Sequence, residues 1–166
     1  MMRQLVFLIL LMAPFAAHAF DCNGPRFRGE RPQVNEVHIF CGEIRYGKPD
    51  GYHSEAAGPS PVVRGLSQVQ PVGNNGVYSA RVQYANGRSK FSTFYPRTCS
   101  IEQIEASVRY AANHPFPNRG NDWQYGPSAP ITEAGGYCTG TNGQPLEIQF
   151  ARTQQGGINT AFPDGK

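Results

Sequence analysis

Glycine and proline interrupt this chain so often that long helices have almost nowhere to form. There are 19 glycines and 14 prolines in 166 residues, and both residues break helix and strand interiors. Only Ser100–Asn113 carries a clear helical pattern. Ser100 and Gln103 have the spacing of a capping box, and Ile101, Ile104, Val108 and Ala111 form one apolar stripe. His114-Pro115 ends that helix, and the helix C-terminus accounts for the histidine. The rest reads as short strands and turns. With 39% hydrophobic residues, 10 Phe and 8 Tyr, the chain can still build a core, so wholesale disorder is excluded.

Met1–Ala19 has Arg3, an apolar run Leu5–Met12 and an Ala17-His18-Ala19 ending, the layout of a secretory signal cleaved before Phe20. The run is too short to span a bilayer, so the expected mature form is 20–166, a single domain without a membrane anchor, secreted or periplasmic. The formal net charge of +3 becomes +2 when Arg3 leaves with the signal, too mild to argue nucleic-acid binding by itself. Cys22, Cys41, Cys99 and Cys138 remain. An even count in an exported chain favours two disulfides, with Cys22–Cys41 and Cys99–Cys138 preferred among three connectivities because each closes a local loop.

Val37–Ile44 reads as a β-branched strand, Tyr46–Pro71 as a long ordered loop, and Pro115–Gly136 as another. Val77–Ala85 alternates, Asn86-Gly87 signals a two-residue hairpin turn, and Arg88–Tyr95 returns. That turn places Val82 opposite Phe91, Gln83 opposite Lys90 and Arg81 opposite Ser92, with Lys90 and Ser92 on the polar face. Leu146, Ile148 and Phe150 alternate as a further strand and Ile158–Phe162 as the last, where strict alternation puts Thr160 on the face of Ile158. Asn75–Pro96 and Asn142–Pro163 echo one another over 22 residues each, as in two hairpin lobes with a cleft between them.

Two histidines and a lysine are the candidate chemistry. His38 and His53 are separated by a Gly/Pro-containing turn that could fold them side by side. One imidazole takes a proton from a nucleophile, the other gives one to a leaving group, and a lysine such as Lys90 holds the charge between them. On RNA the 2′-hydroxyl is the nucleophile, so no serine or cysteine nucleophile is required. A metal-dependent hydrolase built on His38, His53 and Glu43 is an alternative, although that spacing matches no zinc motif. A non-catalytic RNA- or protein-binding module on the same scaffold is another.

His38-Ile39-Phe40-x-Gly42-Glu43, Gly51-Tyr52-His53, Lys90-x-Ser92-Thr93-Phe94-Tyr95-Pro96 and Ile158-Asn159-Thr160-Ala161-Phe162-Pro163 together resemble EndoU-type endoribonucleases. The likeness is closest to the small bacterial nuclease domains of contact-dependent inhibition toxins, and it runs from about Val37 to Pro163. The resemblance implies an α+β fold, with two antiparallel sheets or hairpin lobes flanking a cleft and at least one packed helix, about 100–113. It implies cleavage of RNA near uridines to a 2′,3′-cyclic phosphate and a 5′-hydroxyl, no required cofactor, Mn²⁺ in some members, and an immunity or inhibitor protein as a partner besides RNA. Carried over, His38 and His53 are the acid–base pair, in an order the residues leave open, and Lys90 steadies the phosphorane. Ser92, Thr160 and Phe162 hold base and phosphate, while Glu43 orients the first histidine or touches Mn²⁺. Phe162 stands where many relatives carry tyrosine, so stacking on a base survives and the hydroxyl does not.

Overall fold

The computed structural model describes residues 20–117 and 123–165; the signal expected at 1–19 lies outside them. Among the described residues, ten strands and one α-helix make an α+β fold. The strands are β1 (Phe27–Arg28), β2 (Val34–Asn35), β3 (Glu43–Arg45), β4 (Lys48–Asp50), β5 (Val63–Pro71), β6 (Tyr78–Tyr84), β7 (Ser89–Phe94), β8 (Gln124–Pro127), β9 (Glu147–Arg152) and β10 (Ile158–Pro163), and the helix is α1 (Ile101–Asn113). They form a five-stranded sheet β1-β2-β10-β9-β8, a three-stranded sheet β5-β6-β7 and a two-stranded ribbon β3-β4. Every pairing is antiparallel except that of β2 with β10. The two hairpins of the internal echo therefore belong to different sheets.

Helix α1 forms as its sequence dictates. The Ser100 hydroxyl accepts from the Gln103 amide at 3.2 Å, and the Gln103 side chain accepts from the Ser100 amide at 2.9 Å. Its apolar stripe, Ile104, Val108 and Ala111, packs with Ile148, Phe150, Ile158 and Ala161 of the five-stranded sheet in the larger core. At its other end the His114 ring donates to the Tyr110 carbonyl at 2.9 Å, as a helix C-terminus favours. A smaller core of Tyr52, Tyr78, Ala80, Val82, Tyr84 and Phe94 underlies the three-stranded sheet. Disulfides join Cys22 to Cys41 and Cys99 to Cys138, the expected connectivity. Closing loops of this size is worth roughly 3–4 kcal/mol each in the chain-entropy account. No helix among the described residues is long and apolar enough to cross a membrane.

Several segments differ from the sequence reading. Val37–Cys41 is a π-helical turn, with only Glu43 and Ile44 of the expected strand extended, as part of β3. All five residues of the turn are buried, and a short apolar run buried on every side carries no periodicity to tell helix from strand. β4 and β5 occupy much of the expected loop 46–71, and β8 lies within the expected loop 115–136. β5 contains Gly65 and two register irregularities, near Val63/Gly65 and Ser67/Gln70, so its alternation is broken in the sequence.

The hairpin register is also off by one from the expectation. Tyr84 and Arg88 close a three-residue loop, with the Tyr84 amide bonded to the Arg88 carbonyl at 2.9 Å and the Gly87 amide to the Tyr84 carbonyl at 3.0 Å. Gly87 has φ +77° while Asn86 is not left-handed, so the two-residue turn that needs both is absent and Gly87 takes the left-handed position of the longer loop. Arg81 thus faces Phe91, Val82 faces Lys90 and Ala80 faces Ser92. A one-residue slip moves every side chain to the other face: Lys90 and Ser92 share the side of Ala80 and Val82, and Phe91 turns outward beside Arg81. An added Cβ at Gly87 meets nothing within 4 Å, so Gly87→Ala should lower stability by the conformational cost alone, about 1 kcal/mol, read as a lower urea midpoint with an unchanged slope.

Candidate active site

The two histidines meet because a backbone segment pairs with the π-helical turn. The Tyr52 amide donates to the His38 carbonyl at 2.8 Å and the His53 amide to the Ile39 carbonyl at 2.7 Å. Gly51, at φ +69°, runs so close that an added Cβ would overlap the His38 carbonyl. Tyr52 itself is left-handed, φ 64°, and its buried ring is braced edge-on against Phe94 at 5.8 Å. The imidazole centroids of His38 and His53 lie 5.9 Å apart.

Each ring is oriented from behind. His53 Nδ1 lies 3.0 Å from the Thr93 carbonyl, which only accepts, so Nδ1 carries the proton and Nε2 keeps a free lone pair. Burial, then Lys90 and His38, push the His53 pKa well below the usual imidazole value, against the Thr93 hydrogen bond. His53 is therefore poised as a neutral base. His38 Nδ1 meets Glu43 Oε2 at 3.2 Å. Burial of Glu43 would raise its pKa, but the His38 hydrogen bond and the guanidiniums of Arg45 (3.1 Å) and Arg26 (2.8 Å) outweigh it and hold the carboxyl below its ordinary value. An ionised Glu43 accepts from Nδ1 and leaves Nε2 of His38 directed away, 3.9 Å from Asp50. Glu43 sits behind His38 and does not line the cleft.

Lys90 Nζ and Ser92 Oγ each donate to the Gly51 carbonyl at 3.3 Å. Burial lowers the Lys90 pKa, partly offset by Asp50. On the other wall the register of β10 against β9 shifts between Ile158 and Thr160. That bulge at Asn159 overturns the strict alternation expected: Ile158 and Ala161 enter the core, while Thr160 and Phe162 line the cleft. Phe162 stacks on His53, centroids 4.8 Å apart and planes 20° apart. His38, His53, Lys90, Ser92, Thr160 and Phe162 thus border one cavity of about 600 Å³ between β7 and β10.

Asp50, Asn159 and Trp123 also line it and were not singled out from the sequence. Trp123 packs edge-on near Phe162 at 5.5 Å. Asn159 accepts from buried Asn35 at 3.3 Å, and Asn35 in turn accepts from the His38 amide at 3.1 Å. Asp50 was legible only as the neighbour of Gly51 and Asn159 only as a member of the motif that carries Thr160 and Phe162; nothing local marks Trp123.

Among the described residues, His38, Glu43 and Asp50 place donor atoms within 4.8 Å of one another. The set does not suit a divalent cation such as Mn²⁺. Two guanidiniums already hold the Glu43 oxygens, and the His38 ring lies between the carboxylates, turning a different nitrogen to each. The trio His38, His53 and Glu43 considered for a metal hydrolase is not assembled: among the described residues the donor set that converges contains His38, Glu43 and Asp50 and leaves His53 out.

The chain matches the family described as bacterial EndoU nuclease over residues 32–165. The chain belongs to that family. It is also 28% identical over 134 residues to a protein of Bacillus cereus named "Toxin", a match covering 76% of this chain and 21% of the relative. The chain thus spans about a fifth of that relative's length. No solved structure matches it. The matched region contains His38, His53, Lys90 and both walls of the EndoU cleft. Replacing Lys90 with Met removes a cation that depresses the imidazole, so the His53 pKa should rise toward 6.5. NMR titration of the His53 ring checks this without any need for activity, and an unchanged or lower value would contradict the arrangement.

Proposed function

We propose that this nuclease is an exported endoribonuclease that cleaves single-stranded RNA at uridines through its own 2′-hydroxyl, leaving a 2′,3′-cyclic phosphate and a 5′-hydroxyl. The observation that carries the reading is the pair of imidazoles 5.9 Å apart, each with Nδ1 tied to a fixed acceptor, beside a half-buried lysine. In the proposed reaction His53 Nε2 takes the 2′-hydroxyl proton as the oxygen attacks phosphorus. Lys90 and the Thr160 hydroxyl hold the negative phosphorane. The phosphorus–O5′ bond breaks, and the departing 5′ oxygen takes a proton from His38 Nε2. No step is routed through a metal.

The cleft chemistry supports a uridine preference. Ser92 spends its hydroxyl proton on the Gly51 carbonyl, so its oxygen faces the cleft as an acceptor. Uracil offers an N3–H donor to such a group where cytosine offers only an acceptor. Thr160 adds a hydroxyl and Phe162 an aromatic surface. The leader pattern at 1–19 and the two disulfides support export. The Bacillus cereus relative named "Toxin" supports a role against other cells, with an immunity protein as the partner that would protect the producer.

The test is direct. Oxidised protein incubated with an oligoribonucleotide holding a single uridine should yield cyclic-phosphate ends, equally with EDTA or Mn²⁺. DNA and 2′-O-methyl RNA should remain intact. His38→Ala, His53→Ala and Lys90→Ala should each lose roughly 10²–10⁴-fold in rate, and a His38→Ala protein as active as the parent would end the proposal. Because His53 works as a base with a depressed pKa, kcat/KM should hold below pH 6.5 and fall only as pH drops through that lower value. An acid limb at or above the ordinary imidazole pKa would contradict it.

A further inference from the structure

The observed register of the β6–β7 hairpin turns a large apolar side chain out of the protein at the edge of the cleft. Phe91 is 53% exposed, more than the other cleft aromatics. It lies opposite Arg81, whose guanidinium carbon sits 4.3 Å from the ring centroid. Gln68 and Ser89 hold that guanidinium, each at 3.1 Å, and neither is charged. Arg26, Arg28, Arg45, Arg97 and Arg109 each reach a carboxylate. Arg81 makes no ion pair among the described residues. A pinned cation without a counter-ion, flat on an exposed ring, is the chemistry that receives an unstacked base and its phosphate.

Its position relative to the catalytic groups fits that use. β7 is an edge strand of its sheet, and the cleft passes over this edge. Lys90 and Ser92 line it from one face of β7, Phe91 and Thr93 from the other. A strand of RNA whose scissile phosphate sits at Lys90 would therefore leave the cleft across Phe91.

We propose that Phe91 and Arg81 form a second nucleotide subsite, in which a base flanking the cleaved uridine stacks on the Phe91 ring and its phosphate pairs with Arg81. This rests on the endoribonuclease reading and adds to it a determinant of substrate length. Stacking of this kind tolerates any base, so the subsite favours longer single strands without reading their sequence.

The experiment compares kcat/KM for a uridine-containing dinucleotide and for hexanucleotides extended from it on either side. In Phe91→Ala the ratio of hexanucleotide to dinucleotide should fall about tenfold for one of the two extensions, and Phe91→Trp should restore it. Arg81→Gln should flatten the salt dependence measured on the same hexanucleotide. An unchanged ratio in Phe91→Ala, or an equal loss on both substrates, overturns the subsite while leaving the nuclease reading intact. Wild-type protein that cleaves neither substrate overturns the nuclease reading, and the subsite with it.

Discussion

The carbonyl of Gly51 and the backbone around it are what the site depends on. Pairing of residues 51–53 with the π-helical turn sets the two imidazoles side by side. The Gly51 carbonyl also accepts from Lys90 and Ser92 of β7, and Tyr84 places its hydroxyl 3.1 Å away. One backbone oxygen thus ties the pair of imidazoles to the lysine and to a hydroxyl of the cleft. The approach is possible only where no Cβ intervenes.

Around that backbone, burial and charge divide the work between the histidines. His53 loses affinity for its proton because it is desolvated and faces Lys90 and His38. His38 is backed by a carboxylate that two arginines keep ionised. The same arginines leave Glu43 poorly suited to a cation, so the group that resembles a metal ligand in the sequence acts structurally as an orienting one. Phe162 covers a face of His53 as well as lining the cleft, which couples the seat of that imidazole to the opposite wall.

The fold shapes the cleft as much as its side chains do. Each wall comes from a hairpin of a different sheet, β6–β7 and β9–β10. An edge strand exposes two faces to one cleft, so adjacent residues of β7 serve different ends: Lys90 and Ser92 inward, Phe91 outward beside Arg81.

Local chemistry was enough to read several features from the chain alone. Ser100 and Gln103 dictated the start of α1 and the spacing of the cysteines favoured the observed disulfides, while the family resemblance carried by four short motifs marked His38, His53, Lys90, Ser92, Thr160 and Phe162, which the structure gathers around one cavity. What depended on parity was not legible. The loop at Asn86-Gly87 is one residue longer than its dipeptide signals, and the bulge at Asn159 leaves no local mark, yet each reverses which side chains face the cleft. The π-helical turn was hidden in the same way, because complete burial erases the alternation that distinguishes strand from helix. Residue types and their order marked which groups the candidate site contains. Long-range packing alone decided which face each group occupies, because a single inserted residue costs little locally and inverts everything that follows.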